Sequence, residues 1–271
     1  MNIIGFHMVS MKDLDINCKE YERKIKDFIA QSIEKSGLNG AIVAVSGGID
    51  SAVTLDLTVK AIGADRVTVL TMPERDVTPE RDIMDVMQHC ELLGVTCNTV
   101  DITPILHVIR DTLPKYDITD HVTTGNIKPR VRMTVAYYFA NRDRRMVMGT
   151  SNKTELLTGF FTKYGDGGVD LMPLADLYKT QLRQLARHLK IPKNIIEKPP
   201  SPGFYPGHTD EDELGIDYTT LDLILYSLEK GSDASRIAED LGVSRELVES
   251  VMSRVKANEH KRRLPLILRL G

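Results

Sequence analysis

The spacing of apolar residues predicts alternating helices and strands in the first half of the chain. Five apolar side chains recur with helical spacing before Gly37, which predicts an amphipathic helix over residues 18–36: Tyr21, Ile25, Phe28, Ile29 and Ile33. Four short apolar runs rich in β-branched residues then predict strands at residues 41–45, 67–71, 95–100 and 146–150. The segments between these runs are long enough for crossover helices, so we predict parallel βαβ units.

Proline and glycine positions divide the rest of the chain. Residues 79–94 begin with proline and end with glycine, which predicts one crossover helix, and residues 134–141 belong to another. Beyond residue 176 the pattern is helical, except at residues 198–207, where four prolines and two glycines predict a loop over the sheet. We therefore expect a doubly wound α/β fold with a helical C-terminal part.

Composition and charge restrict the kinds of partner. The chain has 271 residues, 42% of them hydrophobic and 27% charged, and a formal net charge of -3, which argues against broad contacts with nucleic acid or an anionic membrane. A small anionic ligand remains compatible. Three cysteines without a paired motif indicate neither a zinc site nor a disulfide framework. With no long apolar run and no signal-peptide pattern, we expect a cytoplasmic protein.

The stretch VAVSGGIDSAV, residues 43–53, combines a strand, a glycine-rich turn and a helix start. Backbone N–H groups at such a helix N-terminus favour an anion, although the spacings of the Walker loop and of GxGxxG are absent. Asp50 would repel bound phosphates unless a divalent cation lay between them, and Mg²⁺ binds carboxylates together with phosphate oxygens. Asp50 is thus a candidate metal ligand. The alternative is an acid that only interacts with the helix dipole.

A second group of polar residues follows the fourth predicted strand. Thr150 and Ser151 would lie at the carboxyl edge of the sheet, where open α/β sheets bind ligands. Glu155 is a candidate second ligand for the cation, with a solvated acid on a short helix as the alternative. The stretch GFFTKYGDGG, residues 159–168, suits a loop that packs a ring and pairs with ligand charges, but an ordinary surface turn is also compatible.

These stretches resemble a known family. VSGGIDSA resembles the pyrophosphate-binding loop of the N-type ATP pyrophosphatases, and residues 149–181 resemble the ammonia-dependent NAD synthetases in the order GT-x4-E, GFFTKYGDGG-x-D and PL-x4-K-x-Q. Together with PRVRM, DEDELGIDY and NEHKR, the resemblance covers about residues 18 to 265. It implies an adenine nucleotide alpha hydrolase-like, Rossmann-like fold, with residues 1–17 as an N-terminal extension and residues 18–271 as a single domain.

The resemblance also implies an activity, the amidation of deamido-NAD to NAD by ammonia, with ATP cleaved to AMP and pyrophosphate. It implies catalytic roles for Asp50 and Lys179. It also implies that Asp50 and Glu155 bind Mg²⁺. The ATP contacts it implies are Ala44, Val45, Ser46, Gly47, Gly48, Ile49, Asp50, Ser51, Thr150, Lys179 and Ser201. Those to deamido-NAD are Arg130, Lys163, Asp170, His260 and Lys261. Many family members have Thr where this chain has Ser201. A homodimer is implied as well.

Other functions remain open at this stage. The same loop would serve another amidating or thiolating enzyme of the superfamily, although no paired-cysteine motif supports thiolation. A non-catalytic adenine-nucleotide sensor is a further alternative. Residues 234–255 resemble a DNA-binding helix-turn-helix, but Glu246 and Glu249 on the second helix favour two packed helices, with Ser244 as a cap. The basic residues at 256–263 suit a dinucleotide or a solvated helix end.

Overall fold

A parallel sheet forms the centre of the protein. The computed structural model describes residues 8–75, 77–200 and 210–269, and within these ranges one sheet has the strand order β3-β2-β1-β4. Its strands are β1 (Gly40–Ala44), β2 (Val67–Thr71), β3 (Cys97–Thr99) and β4 (Arg145–Met148). All pairings are parallel. The predicted strands are therefore confirmed, with ends that differ by one or two residues.

Helices occupy most of the remaining described chain. They are α1 (Cys18–Ser36), α2 (Ile49–Ile62), α3 (Glu80–Leu92), α4 (Thr103–Thr112), α5 (His121–Gly125), α6 (Ile127–Asp143), α7 (Lys153–Thr158), α8 (Lys179–Leu189), α9 (Lys193–Ile196), α10 (Asp210–Leu214), α11 (Tyr218–Glu229), α12 (Ala234–Leu241) and α13 (Arg245–Ala257). Short 3-10 turns lie at Met11–Leu14, Ala64–Arg66 and Glu259–Lys261.

The predicted helices are present, with different lengths in two cases. Helix α1 has the predicted bounds, and Gly37 ends it with a φ of 67°. Pro79 stands immediately before α3 as its cap, so this helix begins one residue later than predicted. The helix predicted over residues 134–141 is the second half of α6. Pro129 lies in the first turn of α6, where proline costs no hydrogen bond, and so the helix extends further toward the N-terminus.

Both faces of the sheet are covered, as a doubly wound fold requires. Helices α1, α2, α3 and α8 pack on one face around residues such as Val43, Leu55 and Leu182. Helices α4 and α6 pack on the other face around Ile42, Ile102 and others. Because side chains from both faces of β1 and β2 are buried, these strands are nearly continuous apolar runs in the sequence.

The C-terminal helices form a second core beside the sheet. Ile237 of α12 and Val248 of α13 are buried against α11, so the prediction of two packed helices for residues 234–255 is confirmed. Ser244 caps α13, accepting a hydrogen bond at 3.1 Å from the backbone N–H of Leu247. Leu14 is buried in the same core. The described end of the segment predicted as an N-terminal extension therefore packs against the domain.

Two further expectations concern the helices and the thiols. None of the helices in the described ranges combines the length and the apolar character needed to cross a bilayer. Cys18, Cys90 and Cys97 all carry free thiols.

Candidate functional site

The carboxyl ends of β1 and β4 lie side by side. Val43 of β1 pairs with Met148 of β4, and the loops that follow these strands therefore start from neighbouring points at one edge of the sheet. In the sheet, β2 lies on one side of β1 and β4 lies on the other side. This is a topological switch point, where two diverging loops leave a crevice suited to a ligand.

The loop after β1 is held in shape by its own hydroxyl groups. The backbone N–H of Ser46 donates to Ser51 Oγ at 3.2 Å, and the N–H of Gly48 donates to Ser46 Oγ at 3.3 Å. Ser51 Oγ in turn donates to the carbonyl of Gly48 at 3.0 Å. Helix α2 begins at Ile49, which places Asp50 in its first turn beside this loop.

Gly47 allows the loop to approach the beginning of α3. Its φ is +79°, and a Cβ on Gly47 would lie 2.8 Å from the carbonyl oxygen of Asp82. Gly48 differs, because its φ is −91° and the nearest atom to a Cβ there would be Ser46 Oγ at 3.4 Å. Lys198 links the same elements, since it forms an ion pair with Asp82 and lies 3.4 Å from the carbonyl of Gly47.

We expect Gly47→Ala to weaken ATP binding about tenfold, because a left-handed backbone and a backbone clash together cost about 1–2 kcal/mol. Gly48→Ala is the matched control, since its backbone conformation and space accept a methyl group. Dissociation constants for ATP from calorimetry compare the two proteins. Equal affinities for both variants would show that the loop does not need its close approach to Asp82.

Asp50, Glu155 and Lys179 meet where the two loops converge. Lys179, the first residue of α8, has a side chain that is 1% exposed, and its Nζ lies 2.6 Å from Asp50 Oδ2 and 3.4 Å from Glu155 Oε1. Asn152 joins the acids, because its Nδ2 donates to Asp50 Oδ1 at 2.8 Å and its Oδ1 accepts from the N–H of Glu155 at 3.0 Å. Glu155 is thus not a solvated acid.

Negative charge is in excess at this site. Asp210 at the start of α10 adds a third buried carboxylate, which accepts a hydrogen bond from the hydroxyl of Tyr218 at 2.7 Å. Burial, and then the charge of Asp50, raise the pKa of Glu155 to about 8. Burial alone would lower the pKa of Lys179, but the charges of Asp50 and Glu155 raise it above its ordinary value. The ammonium stays charged.

This set of donors fits a hard divalent cation. Asp50 and Glu155 present carboxylate oxygens to one point, and one lysine does not balance three acids. Within the described residues, no group of three or more His, Cys, Asp or Glu forms a complete metal site. Phosphate oxygens and water would therefore have to complete the coordination, as is usual for Mg²⁺.

A buried network beneath the site fixes the backbone of Lys179. Its N–H donates to Thr154 Oγ1 at 3.0 Å, and Thr154 Oγ1 donates to Asp222 Oδ1 at 2.5 Å. The other oxygen of Asp222 accepts from the N–H of Thr180 at 2.8 Å. Asp222 lies on α11 and is fully buried. A single carboxylate of the C-terminal core therefore holds the first turns of α7 and α8 together.

Three of the predicted deamido-NAD residues surround the loop at residues 159–163. Arg130 donates from Nε and Nη2 to the carbonyl of Lys163, both at 3.3 Å. Lys261 donates to the carbonyls of Gly159 and Phe161, at 2.7 and 3.0 Å. The structure thus brings the side chains of Arg130 and Lys261 against the backbone of the loop that carries Lys163.

The other predicted contacts lie in separate places. Asp170 accepts hydrogen bonds from the Tyr137 hydroxyl at 2.9 Å and from the N–H of Val147 at 2.8 Å, and it lines an open cavity of about 730 Å³ beside β4. His260 is exposed in the turn after α13. Thr150 follows β4. Ser201 and most of the predicted 198–207 loop lie outside the described residues.

The sequence interpretation missed four residues of this arrangement. Asn152 lay inside the quoted GT-x4-E stretch, at a position treated as variable. Asp210 and Tyr218 are the first and last residues of DEDELGIDY, and no role was assigned to either. Asp222 had no signal in the sequence, since a lone acid within an apolar helix gives no indication of what it contacts.

Comparisons with known proteins identify the family of the chain. A family model described as NAD synthase matches residues 21–265. The NH(3)-dependent NAD(+) synthetase of Methanosarcina acetivorans is 46% identical over 244 residues, which cover 90% of this chain and 95% of that relative. The solved structure of NMN synthetase from Francisella tularensis has a TM-score of 0.82 and 33% identity, covering 94% of this chain and 99% of that one. NH3-dependent NAD synthetase from Campylobacter jejuni has a TM-score of 0.80 and 27% identity, covering 94% of this chain and all of that one. The resemblance noted in the sequence is thereby confirmed, and the chain belongs to the NAD synthase family.

Proposed function

We propose that the protein converts deamido-NAD to NAD with ammonia, in an ATP-dependent reaction that releases AMP and pyrophosphate. The observation that supports this most directly is the cluster of Asp50, Glu155 and Lys179 at the end of β1, in a chain of the NAD synthase family. Curated relatives with 41–46% identity are named NH(3)-dependent NAD(+) synthetases. The enzyme is accordingly a ligase that forms a C–N bond.

The residues after β1 and at the start of α8 would act on the triphosphate. The loop of Ser46, Gly47 and Gly48 would hold phosphate oxygens at the N-terminus of α2, where the N–H groups of Ser46 and Gly48 would exchange their hydroxyl acceptors within the loop for the phosphate. Asp50 and Glu155 would hold Mg²⁺, which supplies positive charge to the leaving pyrophosphate. Lys179 adds a mobile point charge that follows the β- and γ-phosphates as negative charge develops on them.

The reaction itself needs no nucleophile from the protein. An oxygen of the nicotinate carboxylate attacks the α-phosphorus, the bond to pyrophosphate breaks, and an acyl adenylate forms. Ammonia then attacks the acyl carbon and AMP leaves, which gives the amide of NAD. The protein contributes mainly by holding the carboxylate and the α-phosphate in line, an arrangement that can lower the barrier by about 7–11 kcal/mol.

Deamido-NAD would bind near the loop at residues 159–163. Arg130 and Lys261 contact the backbone of this loop, and Lys163 is part of it. These three residues would offer cations to the pyrophosphate and the nicotinate carboxylate of deamido-NAD. Asp170 and His260 are exposed and are therefore accessible to the same ligand. We assign Thr150 and Ser201 to ATP on the basis of the resemblance.

A homodimer belongs to the same proposal. Exposed apolar side chains cluster in and after α4, and a second copy of the chain would shield them: Ile105, Val108, Leu113, Ile118 and Val122. The cytoplasmic location and the lack of nucleic-acid and membrane partners remain predictions from the sequence.

An assay with two substrates tests the proposed activity. With ATP, Mg²⁺, ammonium and deamido-NAD, we expect AMP, pyrophosphate and NAD in equal amounts, measured by chromatography, and no NAD when ammonium is omitted. Nicotinate mononucleotide is the second substrate, because one solved relative is named NMN synthetase. We expect deamido-NAD to have the higher kcat/KM.

The alternative functions predict different results. A preference for the mononucleotide would keep the chemistry and change the substrate. ATP binding without release of AMP would contradict the synthetase and favour a nucleotide sensor. Salt-sensitive binding of one DNA sequence would support a regulator that uses α12 and α13 instead.

A further inference from the structure

The position of Lys179 conflicts with the metal site of the proposed function, on which this inference rests. Its ammonium lies between Asp50 and Glu155, at 2.6 Å from one and 3.4 Å from the other. Mg²⁺ would be held by the same carboxylate oxygens. Its two positive charges and the ammonium would repel each other strongly at this short range. The lysine and the cation therefore compete for the two carboxylates.

The backbone of Lys179 does not allow the residue to withdraw as a whole. Its N–H is fixed to Thr154 Oγ1, and this hydroxyl is bonded to the buried Asp222. Only the flexible four-carbon side chain is free to turn. A second position for the ammonium must consequently lie within the reach of the side chain from the start of α8.

A suitable acceptor lies next to the lysine. The ring of Tyr218 is centred 5.1 Å from Lys179 Nζ, and the Tyr218 hydroxyl donates to Asp210 Oδ2 at 2.7 Å. Asp210 is 4% exposed, and its Oδ1 is buried without a hydrogen-bond partner in the described residues. A buried oxygen of this kind destabilises the folded protein unless a hydrogen-bond donor reaches it.

Asp210 is also held firmly at this place. Its backbone N–H donates to the carbonyl of Pro200 at 3.0 Å, across the base of the 201–209 segment, and Tyr218 fixes the side chain. The carboxylate is therefore an acceptor of defined position. It would keep a transferred ammonium inside the same buried cluster.

We propose that Asp210 is a positioning residue that accepts the Lys179 ammonium when Asp50 and Glu155 bind the cation. The transfer gives each charge a partner, because the cation takes the two carboxylates and the lysine takes the third. Lys179 then remains near the phosphates instead of being expelled toward solvent. This role explains why a third, buried acid stands beside the two acids that flank Lys179.

Binding of Mn²⁺ without nucleotide, measured by electron paramagnetic resonance, tests the exchange apart from catalysis. Lys179→Met removes the competitor, so we expect it to bind Mn²⁺ about tenfold more tightly than the wild type. Asp210→Asn removes the negative charge that would stabilise the transferred ammonium, so we expect about tenfold weaker binding. In the Lys179→Met background, Asp210→Asn should change the affinity by no more than about twofold to threefold.

Glu213→Gln is the matched control, since it removes one negative charge from the same helix at an exposed position. We expect an effect no larger than about twofold to threefold there. Tyr218→Phe keeps the charge of Asp210 and should bind Mn²⁺ at least as tightly as the wild type. A loss in Tyr218→Phe equal to that in Asp210→Asn would overturn the inference.

The design separates this inference from the proposed function. Equal effects of Asp210→Asn in both backgrounds, or Mn²⁺ binding to Lys179→Met no tighter than to the wild type, would overturn the exchange and leave the enzyme assignment intact. The second result does not depend on whether Asp210→Asn folds. If Asp50→Asn bound Mn²⁺ as tightly as the wild type, the metal site of the proposed function would itself be wrong.

Discussion

Asp50→Asn is expected to release AMP at least about 1000-fold more slowly than the wild type, a loss of about 4 kcal/mol of transition-state stabilisation. Asp50 lies 2.6 Å from Lys179 Nζ and is the first carboxylate after β1. The change therefore removes the charge of the proposed metal ligand where the triphosphate would have to be neutralised. Asparagine keeps the shape of the side chain. The substitution therefore tests charge and not packing, and a coupled assay of pyrophosphate release measures it.

Asp233→Asn is the matched control for this experiment. Asp233 caps α12 through a bond from the N–H of Arg236 at 2.9 Å, and asparagine caps helices equally well. We expect this variant to have wild-type activity and an unchanged melting temperature. If Asp50→Asn retained more than about a tenth of the wild-type rate while remaining folded, Asp50 would not be a metal ligand in the reaction.

Asp222→Ala should lower the free energy of unfolding by about 3–5 kcal/mol. Asp222 is fully buried and accepts hydrogen bonds from Thr154 Oγ1 and the N–H of Thr180. Its removal leaves both donors without partners and opens a cavity between α7, α8 and α11. Because these hydrogen bonds fix the backbone of Lys179, the protein should lose activity together with stability. Urea denaturation followed by circular dichroism measures the effect.

Asp222→Asn distinguishes hydrogen bonding from negative charge at the same position. The amide oxygen still accepts from the N–H of Thr180, and the amide nitrogen can donate to Thr154 Oγ1. We expect this variant to lose less than half as much stability as Asp222→Ala. An equal loss in both would show that the charge of Asp222, and not its hydrogen-bond pattern, holds the two helices.

The network gives the C-terminal helices a role in the active site. Helix α11 supplies Asp222 beneath Lys179 and Tyr218 beside it. Helices α12 and α13 pack on α11 and bury Ile237 and Val248. Their resemblance to a DNA-binding motif therefore reflects a common way of packing two helices. Here their apolar faces are used inside the domain.

The strands and the first loop were the most predictable parts of the chain. A strand buried on both faces must be apolar throughout, so β1, β2 and β4 are visible in the sequence with errors of one or two residues. The glycine-rich turn before α2 is equally local, since its conformation depends on neighbouring residues. The placement of Asp50 beside it follows from helix geometry alone.

The partners of the site residues could not be predicted in the same way. Lys179 lies 129 positions from Asp50, and Asp222 lies 68 positions from Thr154. Helical periodicity says which face of α8 or α11 is buried, but not which element covers it. Asn152 could not be predicted either, because its contact with Asp50 depends on how the loops after β1 and β4 approach each other.

The sequence alone determined the fold class, the loop at the end of β1 and the residue types proposed to bind phosphate and a cation, because each depends on local patterns of apolar, glycine and acidic positions. The tertiary structure alone decided that Lys179 lies between two carboxylates, that Asp210 offers a third, and that Asp222 supports them from the second core. These relations depend on the packing of helices distant in the chain, and no local pattern encodes them.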